Sequence, residues 1–302
     1  KLLCYLFNGQ FRYSDDFFFR NCPLEISRLI VIYIRNLYKS IFLKILMNLI
    51  QKIKQKKEFK NLSDKVIKKS LYEYLKKNAL DLRNLNEKDE KIIIKEIRAE
   101  LRYYSGQFQK SSKNRLKIIE NNSLDLLLKT HSSTSERIDF YPKLISIINS
   151  LNVKSILDLG CGLNPLALAS RDITYLAVDI KEDEIFIIKE FFKKNKINGE
   201  TLIYDLRDFA HKDFIPVDLT ILFKVLDILE KKSHKLANKI VNTISSKYIL
   251  VSFATKKLSG KNMNFPQRPW FLSILRKNKL KYKSFANKNE IFYLIEKNIS
   301  PA

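Results

Sequence analysis

From Met47 to Phe108 the apolar residues recur at three- and four-residue spacings. Leu49, Ile50 and Ile53 form one set, and Val66, Ile67, Leu71, Tyr74 and Leu75 form the next, the period of amphipathic helices. Ser63 stands before Asp64 as an N-cap. Glu87–Tyr104 predicts a further helix, with Ile93, Ile97, Leu101 and Tyr104 on one face and lysines and arginines opposite. Gly106 is suited to end it. Another helix starts over 123–128, and Ser133 with Glu136 has capping-box spacing ahead of a helix over 137–149. Beyond residue 154 the pattern changes. Short apolar runs at 155–159, 174–178, 201–204, 218–223 and 247–253 alternate with helical stretches at 184–194, 233–245 and 270–277. Residues 281–285 and 290–296 would then pair antiparallel across 286–289. This alternation predicts an α/β fold: a Rossmann-like sheet of seven strands, helices on both faces and the last pair antiparallel.

Residues 1–46 stand apart. They are aromatic-rich at Phe17–Phe19, and Leu24–Leu46 is apolar but broken by Arg28, Arg35, Lys39 and Lys44. No stretch reaches the roughly 18 uninterrupted apolar residues of a membrane span, so stable membrane insertion is not expected. The segment reads as a membrane-surface helix or as an extension ahead of a start at Met47; the extension is the preferred reading. The expected division is an extension over 1–46, a helical domain over 47–122 and the α/β domain over 123–302.

Charge adds a partner. The 302 residues carry 56 Lys+Arg against 32 Asp+Glu, a formal net charge of +24, spread along the chain. AT-rich coding accounts for part of the lysine but not for the shortage of acid. A polyanionic partner fits best, nucleic acid ahead of an anionic membrane; the basic helical domain is then expected to grip RNA phosphates, to pack against the α/β domain, or both. Cys4, Cys22 and Cys161 have neither metal nor disulfide spacing, and His131, His211 and His234 are scattered. No metal is expected, and the chain reads as cytoplasmic and reduced.

The candidate chemistry gathers at KSILDLGCGLNP, residues 154–165. A buried strand ends in Gly160-Cys161-Gly162, and Pro165 opens a helix. Strand, glycine turn and helix bring bare backbone against a nucleotide-like ligand. A second strand ends in Asp179, about 20 residues on, where an acid accepts hydrogen bonds from ribose hydroxyls. Pro165 stands where a nicotinamide-binding turn wants its third glycine, and no Gly-Lys-Ser/Thr holds a triphosphate. The remaining common ligand is S-adenosylmethionine, with a ribose and no phosphate. Asp205, after the third strand, is placed for the adenine edge. Arg137 is a fork suited to the cofactor's carboxylate. ILDLGCG followed by VD resembles the first two motifs of the class I methyltransferases. A Rossmann-like sheet with another ligand is the alternative.

The end of the fourth strand narrows the substrate. Enzymes that methylate exocyclic amines often place Asn/Asp-Pro-Pro-Tyr/Phe there; this chain has Phe223-Lys224-Val225-Leu226. No cysteine is placed to attack a pyrimidine. Guanine N7, which loses no proton on methylation, asks only for alignment. HSSTSERIDFY, ILDLGCGLNPLAL, FKVLDILE and VSFATKKLSGKNMNF together resemble the 16S ribosomal RNA guanine-N7 methyltransferases of the aminoglycoside-resistance type and their archaeal relatives. The resemblance runs from about Met47 to the C-terminus. It implies that Arg137, Gly160, Gly162, Asp179, Ile180, Asp205 and Leu206 line the cofactor site, with Tyr104 or His131 closing over it. It also implies that Lys224 lies beside the target base without acting as a general base, and that the partner is ribosomal RNA in the small subunit, bound by a monomer. Asp227 stands where the family tends to have proline, which leaves the helix start after the fourth strand open. A class I methyltransferase of another RNA, protein or small molecule, and a non-catalytic RNA-binding protein, are the alternatives.

Overall fold

The computed structural model describes residues 24–105, 114–229, 233–257 and 259–297. Gly106, Phe17–Phe19, Cys4 and Cys22 lie outside them. Three long helices come first: α1 (Leu24–Lys54), α2 (Asp64–Lys77) and α3 (Glu87–Ser105). Their apolar stripes meet in one core of Leu46, Leu49, Ile50, Ile53, Phe59, Val66, Ile67, Leu71, Ile93, Ile97 and Leu101. Ser63 is the N-cap residue of α2, although its hydroxyl makes no capping bond.

The break expected at residue 46 is absent. α1 runs without interruption through Met47, and Leu46 is as buried as Leu49 and Ile50. A helix that loses its first turns there would lose part of the stripe that the helical core packs against. The boundary at 122 also shifts. α4 (Arg115–Glu120) sends Ile119 into the core under the sheet, so the helical unit closes with α3.

α5 (Leu124–Lys129), α6 (Ser132–Ser135) and α7 (Tyr141–Ser150) lead into the sheet. Here a second expectation fails. The helix predicted from Arg137 begins at Tyr141, after a 3-10 turn over Ile138–Phe140. The supposed capping-box side chains are engaged elsewhere: Ser133 accepts from Arg137, and Glu136 accepts from Lys224.

The rest follows the predicted alternation: β1 (Ser155–Leu159), α8 (Pro165–Leu168), β2 (Thr174–Asp179), α9 (Glu182–Asn195), β3 (Gly199–Ile203), β4 (Val217–Phe223), α10 (Leu226–Leu229), α11 (Lys235–Thr243), β5 (Ser246–Ala254), α12 (Pro269–Lys277), β6 (Lys281–Ala286) and β7 (Glu290–Glu296). The strand order is β3-β2-β1-β4-β5-β7-β6. β1 to β5 pair in parallel, and β7 enters antiparallel between β5 and β6. This is the class I methyltransferase sheet expected from the sequence. Its apolar strands are buried by two cores, one on each face. The order reverses beside β1, so the ends of β1, β2 and β4 open a crevice where ligands bind in such sheets. α10 forms despite Asp227: Arg268 donates to that carboxylate through Nε and Nη2, at 3.0 and 2.8 Å, which fixes the residue without proline.

Candidate active site

The crevice is a cleft of about 820 Å³, open solvent included. Its floor is the turn after β1. Gly160 and Gly162 have φ of +69° and +50°. A Cβ on Gly160 would come to 2.7 Å from Val225 Cγ2, and one on Gly162 to 3.0 Å from His131 Cε1. Both positions therefore require glycine, for conformation and for space.

Asp179 ends β2 with its carboxylate already oriented. Gly162 N donates to Oδ2 at 2.9 Å and Lys181 N to Oδ1 at 3.1 Å. Each oxygen keeps a further lone pair for a ligand. Burial raises its pKa, aided by the Glu184 charge and opposed by the two amide bonds. Asp205 follows β3 and is gripped by Arg207, whose Nε and Nη2 donate to its carboxylate at 3.0 and 2.7 Å. Burial works to raise its pKa, but these bonds hold it below the usual range. Arg207 also lies over the Tyr104 ring, 4.7 Å from its centroid. His131 is buried beside Gly162, and desolvation with the Lys181 charge lowers its pKa to about 3, so it is neutral at pH 7.

Tyr104, His131, Gly160, Gly162, Asp179, Ile180, Asp205, Leu206 and Lys224 all line the cleft. Arg137 does not. It is fully buried, and its fork goes to Glu290: Nε to Oε1 at 3.1 Å and Nη2 to Oε2 at 3.0 Å. Nη1 donates to Asn164 Oδ1 at 2.6 Å and Nη2 to Ser133 Oγ at 2.9 Å. The carboxylate that Arg137 meets is the protein's own. An arginine buried there without one would leave a charge uncompensated. Its role at the cleft is indirect, since Ser133 and Asn164 line the wall it supports.

Lys224 follows β4 with φ +56° and is itself buried. Its Nζ donates to Glu136 Oε2 at 2.6 Å and stands 3.2 Å from Glu290 Oε1. Burial works to raise the pKa of Glu290, but the Arg137 and Lys224 charges hold it low. Sequence reasoning missed Glu290, Arg207 and Glu184. A carboxylate opening a strand whose interior, IFYLI, is apolar was the visible signal for Glu290.

The helical unit roofs this end of the sheet. Leu62 bridges Lys181 after β2, Arg207 after β3 donates to Ser70 Oγ and Glu100 Oε1, and the Tyr103 hydroxyl donates to Asp227 O after β4.

The profile of one protein family, Ribosomal RNA methyltransferase (FmrO), matches residues 120–270, half of the chain. The chain belongs to the FmrO family. Within it, this chain is 29% identical over 182 residues to the 16S rRNA (guanine(1405)-N(7))-methyltransferase of Micromonospora echinospora, covering 56% of this chain and 64% of that one. The match thus spans under two thirds of that relative. The Serratia marcescens enzyme of the same name is 30% identical over 176 residues, covering 57% of this chain and 69% of that one. The structure of the 16S rRNA methylase ArmA matches at 28% identity and TM-score 0.51, covering 62% of this chain and 99% of that one. The 16S rRNA methylase RmtB, at 23% identity and TM-score 0.69, covers 84% of this chain and 98% of that one. RmtF, solved with S-adenosyl-L-homocysteine, has 21% identity, TM-score 0.71 and the same two coverages. The last two share the fold of this FmrO-family chain.

Proposed function

We propose that this protein is an S-adenosylmethionine-dependent methyltransferase acting on guanine N7 of ribosomal RNA in the small subunit. One observation carries the reading: the residues that match the family, 120–270, hold the glycine turn, Asp179 and the β4 end in one cleft. The lining suits this cofactor. Among the described residues that line the cleft, the cationic side chains Lys181, Arg207 and Lys224 each have a carboxylate within 4.0 Å, so none of them is left free for a phosphate. It does offer an oriented acid for ribose hydroxyls, and acids that suit a ligand with a sulfonium centre.

S-adenosylmethionine, when bound, supplies the methyl group as an electrophile. Asp179, its carboxylate pinned by the amides of Gly162 and Lys181, would hold the ribose. Leu206 and Ile180 would give the adenine apolar contact, and Asp205 would meet its polar edge. Tyr104 and neutral His131 close the cleft from the helical side and from beside the glycine turn. Guanine N7 brings its own lone pair and gives up no proton, so no general base is needed. The chain's task is alignment and exclusion of water, which can supply several kcal/mol of the barrier reduction. Lys224 marks where the base is received. The basic helical unit positions the enzyme on rRNA phosphates, so selectivity rests on the shape of the assembled subunit.

The test is transfer of labelled methyl to small ribosomal subunits, followed by borohydride and aniline treatment, which cleaves RNA at N7-methylguanosine. Cleavage at a single base is expected, with naked rRNA the poorer substrate. Label entering RNA without cleavage would remove the N7 assignment. Label entering protein would favour the other methyltransferase reading. An increase in the aminoglycoside concentration tolerated by cells that express the protein would extend the reading to resistance.

A further inference from the structure

The Lys224–Glu136 pair is built asymmetrically. Lys224 is anchored from behind, with its backbone amide on Ser252 O and its Nζ near Glu290. Its left-handed backbone conformation is costly for a residue with a Cβ, and such strain persists where surrounding contacts impose it. Glu290 is closed off: it carries Arg137 and the Ser252 hydroxyl and is fully buried. Glu136 is the opposite case. It lies in the loop after α6, its side chain 43% exposed, and reaches Lys224 from the solvent side. An ammonium that lines the cleft and a carboxylate beside it thus stand 2.6 Å apart, one fixed and the other accessible.

That arrangement has a complement. The Watson–Crick edge of guanine presents O6, N1–H and N2–H in a row: one acceptor, then two donors. An ammonium beside a carboxylate presents one donor, then two acceptor positions, as cytosine does. Adenine offers a donor at N6 and an acceptor at N1, so it would set like against like on both groups. Reading this edge leaves N7, on the other side of O6, free to meet the methyl group. Splayed-out bases in folded RNA are read on such edges, and an unmet donor or acceptor costs discrimination of tenfold or more.

Resting on the guanine-N7 reading above, we propose that Glu136 is a specificity-determining residue that, beside Lys224, reads the Watson–Crick edge of the target guanine. Lys224 donates to O6, and the Glu136 carboxylate accepts from N1–H and N2–H.

The experiment uses small subunits reconstituted with guanosine or inosine at the base mapped by cleavage. Inosine keeps N7, O6 and N1–H and lacks only the amine at position 2. The wild-type protein should methylate the guanosine subunit at least about tenfold faster at limiting substrate, the scale of one hydrogen bond to a charged group. Glu136→Ala should lower both rates and bring the ratio below about threefold; Glu136→Gln, which keeps one acceptor, should fall between. Cofactor affinity by calorimetry should be unchanged in both variants. If either variant keeps the wild-type ratio while both rates drop, Glu136 only holds Lys224 in place and the proposal is overturned. It is equally overturned if the wild-type protein does not discriminate. Failure of the wild-type protein to methylate the guanosine subunit at all would instead strike the underlying N7 reading.

Discussion

The two sides of the cleft are made in different ways. On the β1–β3 side, Gly160, Gly162 and Asp179 lie within 20 residues of one another in sequence, and backbone amides orient the functional carboxylate. On the β4–β7 side, Arg137, Lys224 and Glu290 come from three distant parts of the chain, and the two cations share the one buried carboxylate. The first side is a ligand site resting on a stable frame. The second is part of the frame, with one accessible carboxylate added. Substitutions should therefore separate: fold suffers on one side, binding on the other.

The largest effect is expected from Glu290→Ala. It strands the guanidinium of Arg137 and leaves Lys224 with Glu136 alone, and breaking a buried pair in this way costs about 3–5 kcal/mol. Urea unfolding measures it directly. A loss below about 1 kcal/mol would mean that water or rearrangement relieves the charges, and the two sides would no longer differ in kind.

Asp158 tests the zone between the sides. It sits on β1 but faces the interior, where the Tyr175 hydroxyl donates to it at 2.7 Å. Burial raises its pKa from 3.8 to about 7, outweighing the Tyr175 bond and the Arg137 charge. The folded protein then keeps a proton that the unfolded chain has released, so stability falls as pH rises between those two values. Asp158→Asn removes that slope. The stability difference should move in favour of the variant from pH 4 to pH 7, by at most about 4 kcal/mol. His131, with its lowered pKa, contributes the opposite slope at acid pH, equally in both proteins, and cancels in the difference. A difference independent of pH would show that Asp158 is ionised in the fold.

Asp179→Ala should behave in the reverse manner to Glu290→Ala. Cofactor affinity should fall by roughly 1.5–3 kcal/mol, the scale of hydrogen bonds to a charged group, with little change in unfolding. Calorimetry showing unchanged affinity would remove Asp179 from the site.

The same division explains what the sequence revealed. ILDLGCG and the acid after β2 were readable because strand, turn and helix follow in order, and Gly160, Gly162 and Asp179 line one cleft. The seven strands were readable because each apolar run is short and bounded. Arg137 was readable as a charged residue of interest, but its partner lies 153 residues away on a strand that also inserts antiparallel. No local pattern carries that distance. The capping-box reading of Ser133 and Glu136 failed because side chains took them instead: Ser133 meets Arg137 one turn on, and Glu136 meets Lys224, 88 residues away. Met47 marks no break in packing: α1 runs through it, and Leu46 continues the stripe.

The smallest effect concerns the seam between the helical unit and the sheet. Lys69 on α2 reaches Asp208 at 2.5 Å and stands 3.9 Å from Asp205. Asp208 is 57% exposed, so this pair is screened by water and is worth at most about 1 kcal/mol. Its contribution should shrink further as salt shortens the range of the attraction. Lys69→Ala should thus lower stability by less than about 1 kcal/mol at low salt, with the difference fading at high salt. Cofactor affinity should hardly move, because Arg207 grips Asp205 through two side-chain nitrogens and its own backbone amide. The informative outcome is the unexpected one. If Lys69→Ala weakens cofactor binding more than tenfold while unfolding is unchanged, the helical unit belongs to the cofactor site itself. Asp205 would then be positioned from across the seam, and the β1–β3 side would depend on distant parts of the chain as its neighbour does.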